Sequence, residues 1–159
     1  MSLTIWRFAA LLLPALLMGA SFCHSLEMPL KLRAGPELWM TYQHTLYAAF
    51  AIVGGPIELG SILTVSVLAY RVRGRRPAFP LTLTAALLLA LAFALWLALT
   101  ATANAETAKW TADQIPADWA SWRAQWELSH LIRFGLHLIA FSALALAVLL
   151  ELKQARTDA

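Results

Sequence analysis

Charge and cysteine are the two things this chain has least of. Cys23 is the only cysteine among 159 residues, so no internal disulfide can form. It falls near the outer end of an apolar run, where a packed thiol is expected rather than a redox group. Charged residues make up 13% of the chain and hydrophobic ones 60%, against roughly 25% charged in an ordinary soluble domain. Internal repeats and low-complexity tracts are also missing, so residues 1–159 read as a single membrane domain. Four windows are nearly free of charge. Residues 8–25 and 77–105 carry none, 45–70 carries only Glu58, and 133–150 carries Arg133 and His137. About 20 apolar residues as helix cross a hydrocarbon core of ~30 Å. A soluble bundle would need polar outer faces, yet residues 81–101 are apolar nearly all round. The expected fold is all-α, a four-helix transmembrane bundle with spans at approximately 5–26, 40–70, 78–103 and 120–152. The first apolar run, behind Arg7, has the outline of a signal peptide. It continues past Gly19, Ala20 and Ser21 without a break, which favours an uncleaved first span.

The net charge of +3 comes mainly from Arg71, Arg73, Arg75 and Arg76. A basic run invites a nucleic-acid reading, but this one lies between two spans, where arginines hold a short loop on the cytoplasmic side. Four spans then place both termini in the cytoplasm, in agreement with Arg7, Lys153 and Arg156. Lys31, Arg33, Lys109 and Arg123 are assigned to outer loops. The partner expected on these grounds is the lipid bilayer of the cell's inner membrane, crossed several times, and no nucleic acid.

What the chain does have is a long stripe. Trp119, Trp122, Trp126, His130, Arg133 and His137 follow one another at steps of three, four, four, three and four, which keeps them on one helical face. Asp118 is a candidate cap for that helix. His44, Tyr47, Ala51, Gly55 and Glu58 form a second stripe, and Ala20, His24, Glu27 and Lys31 a third. Gly54-Gly55-Pro56 is expected to interrupt the second helix and to let another helix come close. Pro14 should kink the first span or leave one of its carbonyls unpaired. The third span, without ionisable groups, reads as scaffold facing lipid. Its Thr82, Thr84, Thr100 and Thr102 are expected to bond back to their own helix.

Depth decides which polar groups can meet. Counted at ~1.5 Å per residue, Glu58 stands roughly 20 Å above Arg71, and His137 about 21 Å above Glu151. Arg133 comes out near 27 Å and His24 near 25 Å on the same count. One layer therefore holds Glu58, His137, His24 and Arg133, the candidate catalytic residues. A layer above it holds Glu27, His44, His130 and Glu127. With Trp122 and Trp126, the first three of these are the candidate substrate contacts, for a hydrophobic small molecule. Charge in lipid is costly, so Glu58 and Arg133 are expected to pair. That pair alone could serve packing only. The histidines and carboxylates are also the donors a metal or haem would use. However, His130 and His137 lie ~10 Å apart along a helix, no ligand-motif spacing is present, and no residue is assigned to a metal; cofactors stay open. The tryptophans fit an interfacial anchoring belt or an aromatic clamp.

Several of these features resemble one family. The four-span layout does, as do the segment GASFCHSLEMP and the pattern W-x3-W-x3-H-x2-R formed by Trp122, Trp126, His130 and Arg133. They are similar to the small integral membrane proteins grouped with the anthrone oxygenases. The resemblance implies an oxygenase-like oxidoreductase acting on a polycyclic aromatic substrate. The alternative is a non-catalytic membrane subunit or ligand binder whose buried charges serve helix packing.

Overall fold

The computed structural model describes residues 2–157, and the side chains of all of these except Ala48, Ala49, Ala155 and Arg156. Arg156, counted above with the inner-end charges, thus lies outside the described side chains. Four long helices make up the fold. Helix α1 runs Leu3–Lys31 and opens on Ser2, whose hydroxyl accepts the Ile5 amide. Helix α2 runs Pro36–Arg71, with proline at its first position, where a missing N–H costs nothing. Helix α3 extends over Ala78–Thr107, and α4 over Trp119–Thr157. All four contain a stretch long and apolar enough to cross a membrane.

Each helix packs on its two neighbours in the order α1, α2, α3, α4, and α4 closes back on α1. At one end Arg7 of α1 and Arg75 of the α2–α3 loop both pair with Glu151 of α4. Both ends of the described chain and the arginine loop therefore share one end of the bundle, the arginine end. The other, the tryptophan end, carries the α1–α2 turn and the long α3–α4 connection.

The core has two parts. Toward the arginine end it is alanine and leucine: Ala10, Val65, Leu68, Ala85, Leu89, Ala140, Leu144 and their neighbours. Small residues at these positions let helix backbones approach, the usual packing of spans that lack a hydrophobic drive to associate in lipid. Toward the tryptophan end Trp39, Tyr47, Trp110 and Trp126 form a second, aromatic cluster. The outside of the bundle is a belt of leucine, isoleucine and phenylalanine, as a lipid-facing surface requires. Cys23 is exposed on α1, so the thiol expected to be packed is not.

Several local expectations need correction. Pro56 does not interrupt α2, which is one helix of 36 residues; Pro14 is buried inside α1, where its missing N–H leaves the Ala10 carbonyl without that bond, as expected. Inside a bundle, neighbouring helices and local adjustment accommodate a proline that would break an isolated helix. Gly54 and Gly55 receive no close helix; a Cβ built on either would meet nothing within 4 Å. Helix α3 is not a uniform rod. It is α-helical over Ala78–Leu95, passes through a π-helical turn at Trp96–Thr100, and resumes over Ala101–Thr107. Thr82 and Thr102 do bond back to their own helix, but Thr100 reaches across to the Ser129 hydroxyl, 2.7 Å away.

Candidate functional site

Between the two cores lies a cavity of about 260 Å³, with walls from all four helices. The sequence makes room for it on α2, where Ala51, Gly54 and Gly55 bring no bulk. On α3 the π-helical turn places Trp96 and Thr100 on its wall, together with Phe93 and Asn104. Single π turns are a recurrent feature of functional sites. The third span is therefore more than lipid-facing scaffold, because its outer third lines the cavity.

The floor is an ion pair. Arg133 Nη2 donates to both carboxylate oxygens of Glu58, at 2.9 and 2.7 Å, and both side chains are buried. The pairing expected from depth is present. His137 is close but not joined to it: its Nε2 stands 4.0 Å from Glu58 Oε1, beyond hydrogen-bond reach. Its Nδ1 lies 2.8 Å from Ser21 Oγ. Ser21 Oγ is also 3.0 Å from the Leu17 carbonyl, so its one proton goes either to Leu17 or to His137. His137 has no accessible surface and does not line the cavity.

The wall is aromatic. His24 of α1 and His130 of α4 meet edge to face with ring centroids 4.5 Å apart. Around them stand Tyr47, Phe50 and Trp126, at 4.8, 4.9 and 5.1 Å from the His24 ring. Trp126 is fixed by its indole N–H, which donates to Asn104 Oδ1 at 2.8 Å. Indole only donates, so this bond also sets the Asn104 amide with its NH₂ free. His130 Nδ1 faces the Trp126 carbonyl at 2.9 Å and must donate to it. Its Nε2 therefore carries a lone pair, a base within the cavity wall. His44 caps the same side through Nε2, 2.9 Å from the Thr107 carbonyl.

The roof lies over this aromatic wall and does not itself line the cavity; it is a second buried ion pair that the sequence did not suggest. Lys31 Nζ lies 3.0 Å from Glu127 Oε2, with the two residues 2% and 1% exposed. The Trp39 indole donates to the other Glu127 oxygen at 3.4 Å, and the Lys31 ammonium sits 4.6 Å over the Trp126 ring. Tyr47 donates to Glu27 at 2.6 Å, and Glu27 also stands 3.8 Å from both Lys31 and His24. Arg123 ties the assembly to the α1–α2 turn through the Lys31 and Ala34 carbonyls.

The layers expected from depth are thus redrawn. Glu58 and Arg133 stay together, but His24 leaves them and joins His130, which is wall rather than rim. His137 drops out of contact with the cavity. Glu27 belongs to the roof. Trp122 is half-buried away from the cavity and bonds Asp118, whereas Trp126 is buried in its wall. Neither Trp126 nor Trp110 is an interfacial anchor, since both are inside the bundle. Lys31 and Arg123 are helical residues of the roof and not outer-loop charges. The spacing of Glu27 and Lys31 on one face of α1 was the available signal for Lys31. For Glu127, which neighbours Trp126 in sequence but lies off the stripe, nothing in the spacing pointed inward. Among the described residues, no three His, Cys, Asp or Glu side chains converge as a metal ion requires. The His24 and His130 rings touch, which leaves no gap for a macrocycle between them. Comparison with protein-family models, curated proteins and solved structures gives no match, so the chain's own geometry carries the functional reading.

Proposed function

We propose that this multi-pass membrane protein binds a hydrophobic aromatic small molecule in the cavity and oxidises it in the manner of an oxygenase. The arginine end faces the cytoplasm of the cell that makes it, as its arginine-rich loop favours. One observation carries the reading: a cavity walled by aromatic rings and floored by an ion pair, with a neutral imidazole lone pair, His130 Nε2, at its edge. Aromatic walls favour a flat ring by stacking and edge-to-face contact. A base and a cation in one water-poor space suit removal of a proton from an acidic C–H and stabilisation of the resulting anion.

The resemblance to anthrone oxygenases supplies the reaction class. An anthrone methylene becomes a carbonyl: two C–H bonds are lost and one dioxygen is consumed. One oxygen atom stays as the new carbonyl and the other leaves as water. His130 takes the first proton and Arg133 faces the anion, while His24 holds the His130 ring.

The test is anthrone-dependent oxygen uptake by the purified protein in lipid nanodiscs, with quinone absorbance followed in parallel. Turnover that falls about 10²-fold or more in His130→Ala supports the assignment. Turnover unchanged in that variant removes His130 from the chemistry. A second reading has its own support: Arg133 satisfies both Glu58 oxygens and His137 is sealed from the cavity. Those three residues then serve packing, and the cavity binds a ligand without converting it. Fluorescence quenching by an anthrone with no oxygen uptake favours that reading.

A further inference from the structure

We infer that the cavity's ligand is a lipid-borne amphiphile. Its small aromatic head sits in the cavity, and its hydrocarbon tail leaves sideways between α2 and α3 into the acyl chains. This rests on the reading of the cavity as a ligand site and adds the class of ligand and its route.

The first observation is a window. Helices α2 and α3 are joined at two levels. Near the tryptophan end His44 bonds the Thr107 carbonyl; toward the arginine end Val65 and Leu68 share a core with Ala85 and Leu89. Between these levels the cavity wall is Ala51, Gly54 and Gly55 on α2, and Phe93 and Trp96 on α3. No side chain fills the space beside the two glycines, since a Cβ there would meet nothing within 4 Å. Phe50 and Ala51 line the cavity and are also exposed. The cavity therefore meets the outside at this level.

The second observation is depth. Phe50–Arg71 is the stretch of α2 long and apolar enough to span a bilayer. The window lies within this stretch, beside Ile52 and Val53, which are 74% and 59% exposed. Side chains so apolar and so bare face acyl chains, and so does the window.

The third observation is polarity. The cavity also reaches exposed residues at the tryptophan end, His44 and Ala108, but the window is flanked by bare apolar side chains. A tail that stays in the window exchanges one hydrocarbon contact for another. Size points the same way. At about 260 Å³ the cavity lies just below the range of roughly 300–1,000 Å³ typical of small-molecule pockets. It holds a ring system and little more. The Gln43 amide nitrogen, a lining group buried without a partner, calls for an oxygen on that head.

The experiment uses the whole protein in zwitterionic nanodiscs, with tryptophan quenching by naphthol and by a dodecyl-substituted naphthol. Probe concentrations are expressed as mole fraction in the bilayer. Gly54→Leu and Gly55→Leu place bulk in the window, where an added Cβ meets nothing within 4 Å, and Gly19→Leu, beside open space away from the cavity, is the control. Either window variant is expected to weaken the tailed probe at least about tenfold more than it weakens naphthol, with no effect of Gly19→Leu on either. Equal loss of both probes, or loss of neither, in folded variants overturns the window. Failure of the unsubstituted protein to bind either probe overturns the ligand site itself, a different result from binding both without discrimination.

Discussion

At the scale of single residues, the molecule is governed by two buried ion pairs. Glu58 with Arg133 and Lys31 with Glu127 are each almost wholly withdrawn from solvent. Removing one member of such a pair strands the other, at a typical cost of about 3–5 kcal/mol, whereas replacing both by apolar residues of similar volume is often neutral. Arg133→Leu alone is therefore expected to lower stability by about that amount. The double variant Glu58→Met with Arg133→Leu should recover most of the loss. Thermal unfolding in detergent, followed by helical circular dichroism, reads both; a double variant no more stable than the single would show that the pair is not an isolated unit. Lys31→Met is expected to cost as much as Arg133→Leu, since it leaves Glu127 uncompensated. Lys153→Met, at an exposed position, should change stability by less than about 0.5 kcal/mol. A sequence reading that keeps Lys31 in a solvated loop expects no difference between the two lysines.

At the scale of the helix, the π-helical turn of α3 decides the shape of the cavity. It adds a residue to the turn Trp96–Thr100, and everything beyond it is rotated relative to a regular helix. Asn104, which holds Trp126, and Thr107, which holds His44, both lie beyond it. Deleting Leu97 restores regular geometry and turns these two groups by about 100°. Loss of both bonds is expected, with ring-probe binding weakened at least about tenfold. Helical content should be unchanged. Retained binding in this deletion would mean that the turn is incidental. Such a turn leaves no trace in composition: residues 81–101 are apolar nearly all round, and the turn is seen only in the folded chain, where Thr100 and the Leu99 carbonyl bond Ser129 and Gln125 of α4.

At the scale of the whole molecule, the ring of four helices has one polar-charged end and one aromatic end. The single cysteine makes orientation measurable. In a Cys23→Ser background, Ala112→Cys at the tryptophan end is expected to react with a membrane-impermeant maleimide in intact cells. Gly74→Cys in the arginine loop should react only after lysis. The reverse pattern would invert the topology.

The sequence by itself determined the class of fold, the number of spans, the arginine end and the pairing of Glu58 with Arg133. These follow from quantities local to the chain: the length of apolar runs, the period of a helix, and the cost of charge in lipid. Only the tertiary structure decided which histidines meet, that His137 is sealed away, that Lys31 is buried against Glu127, and that a cavity opens beside Gly54. Those outcomes depend on how far each helix is rotated and shifted against its neighbours. Depth counting fixes height along a helix to about one turn, but rotation about the axis is set by side chains packing from other helices and, in α3, by one π turn.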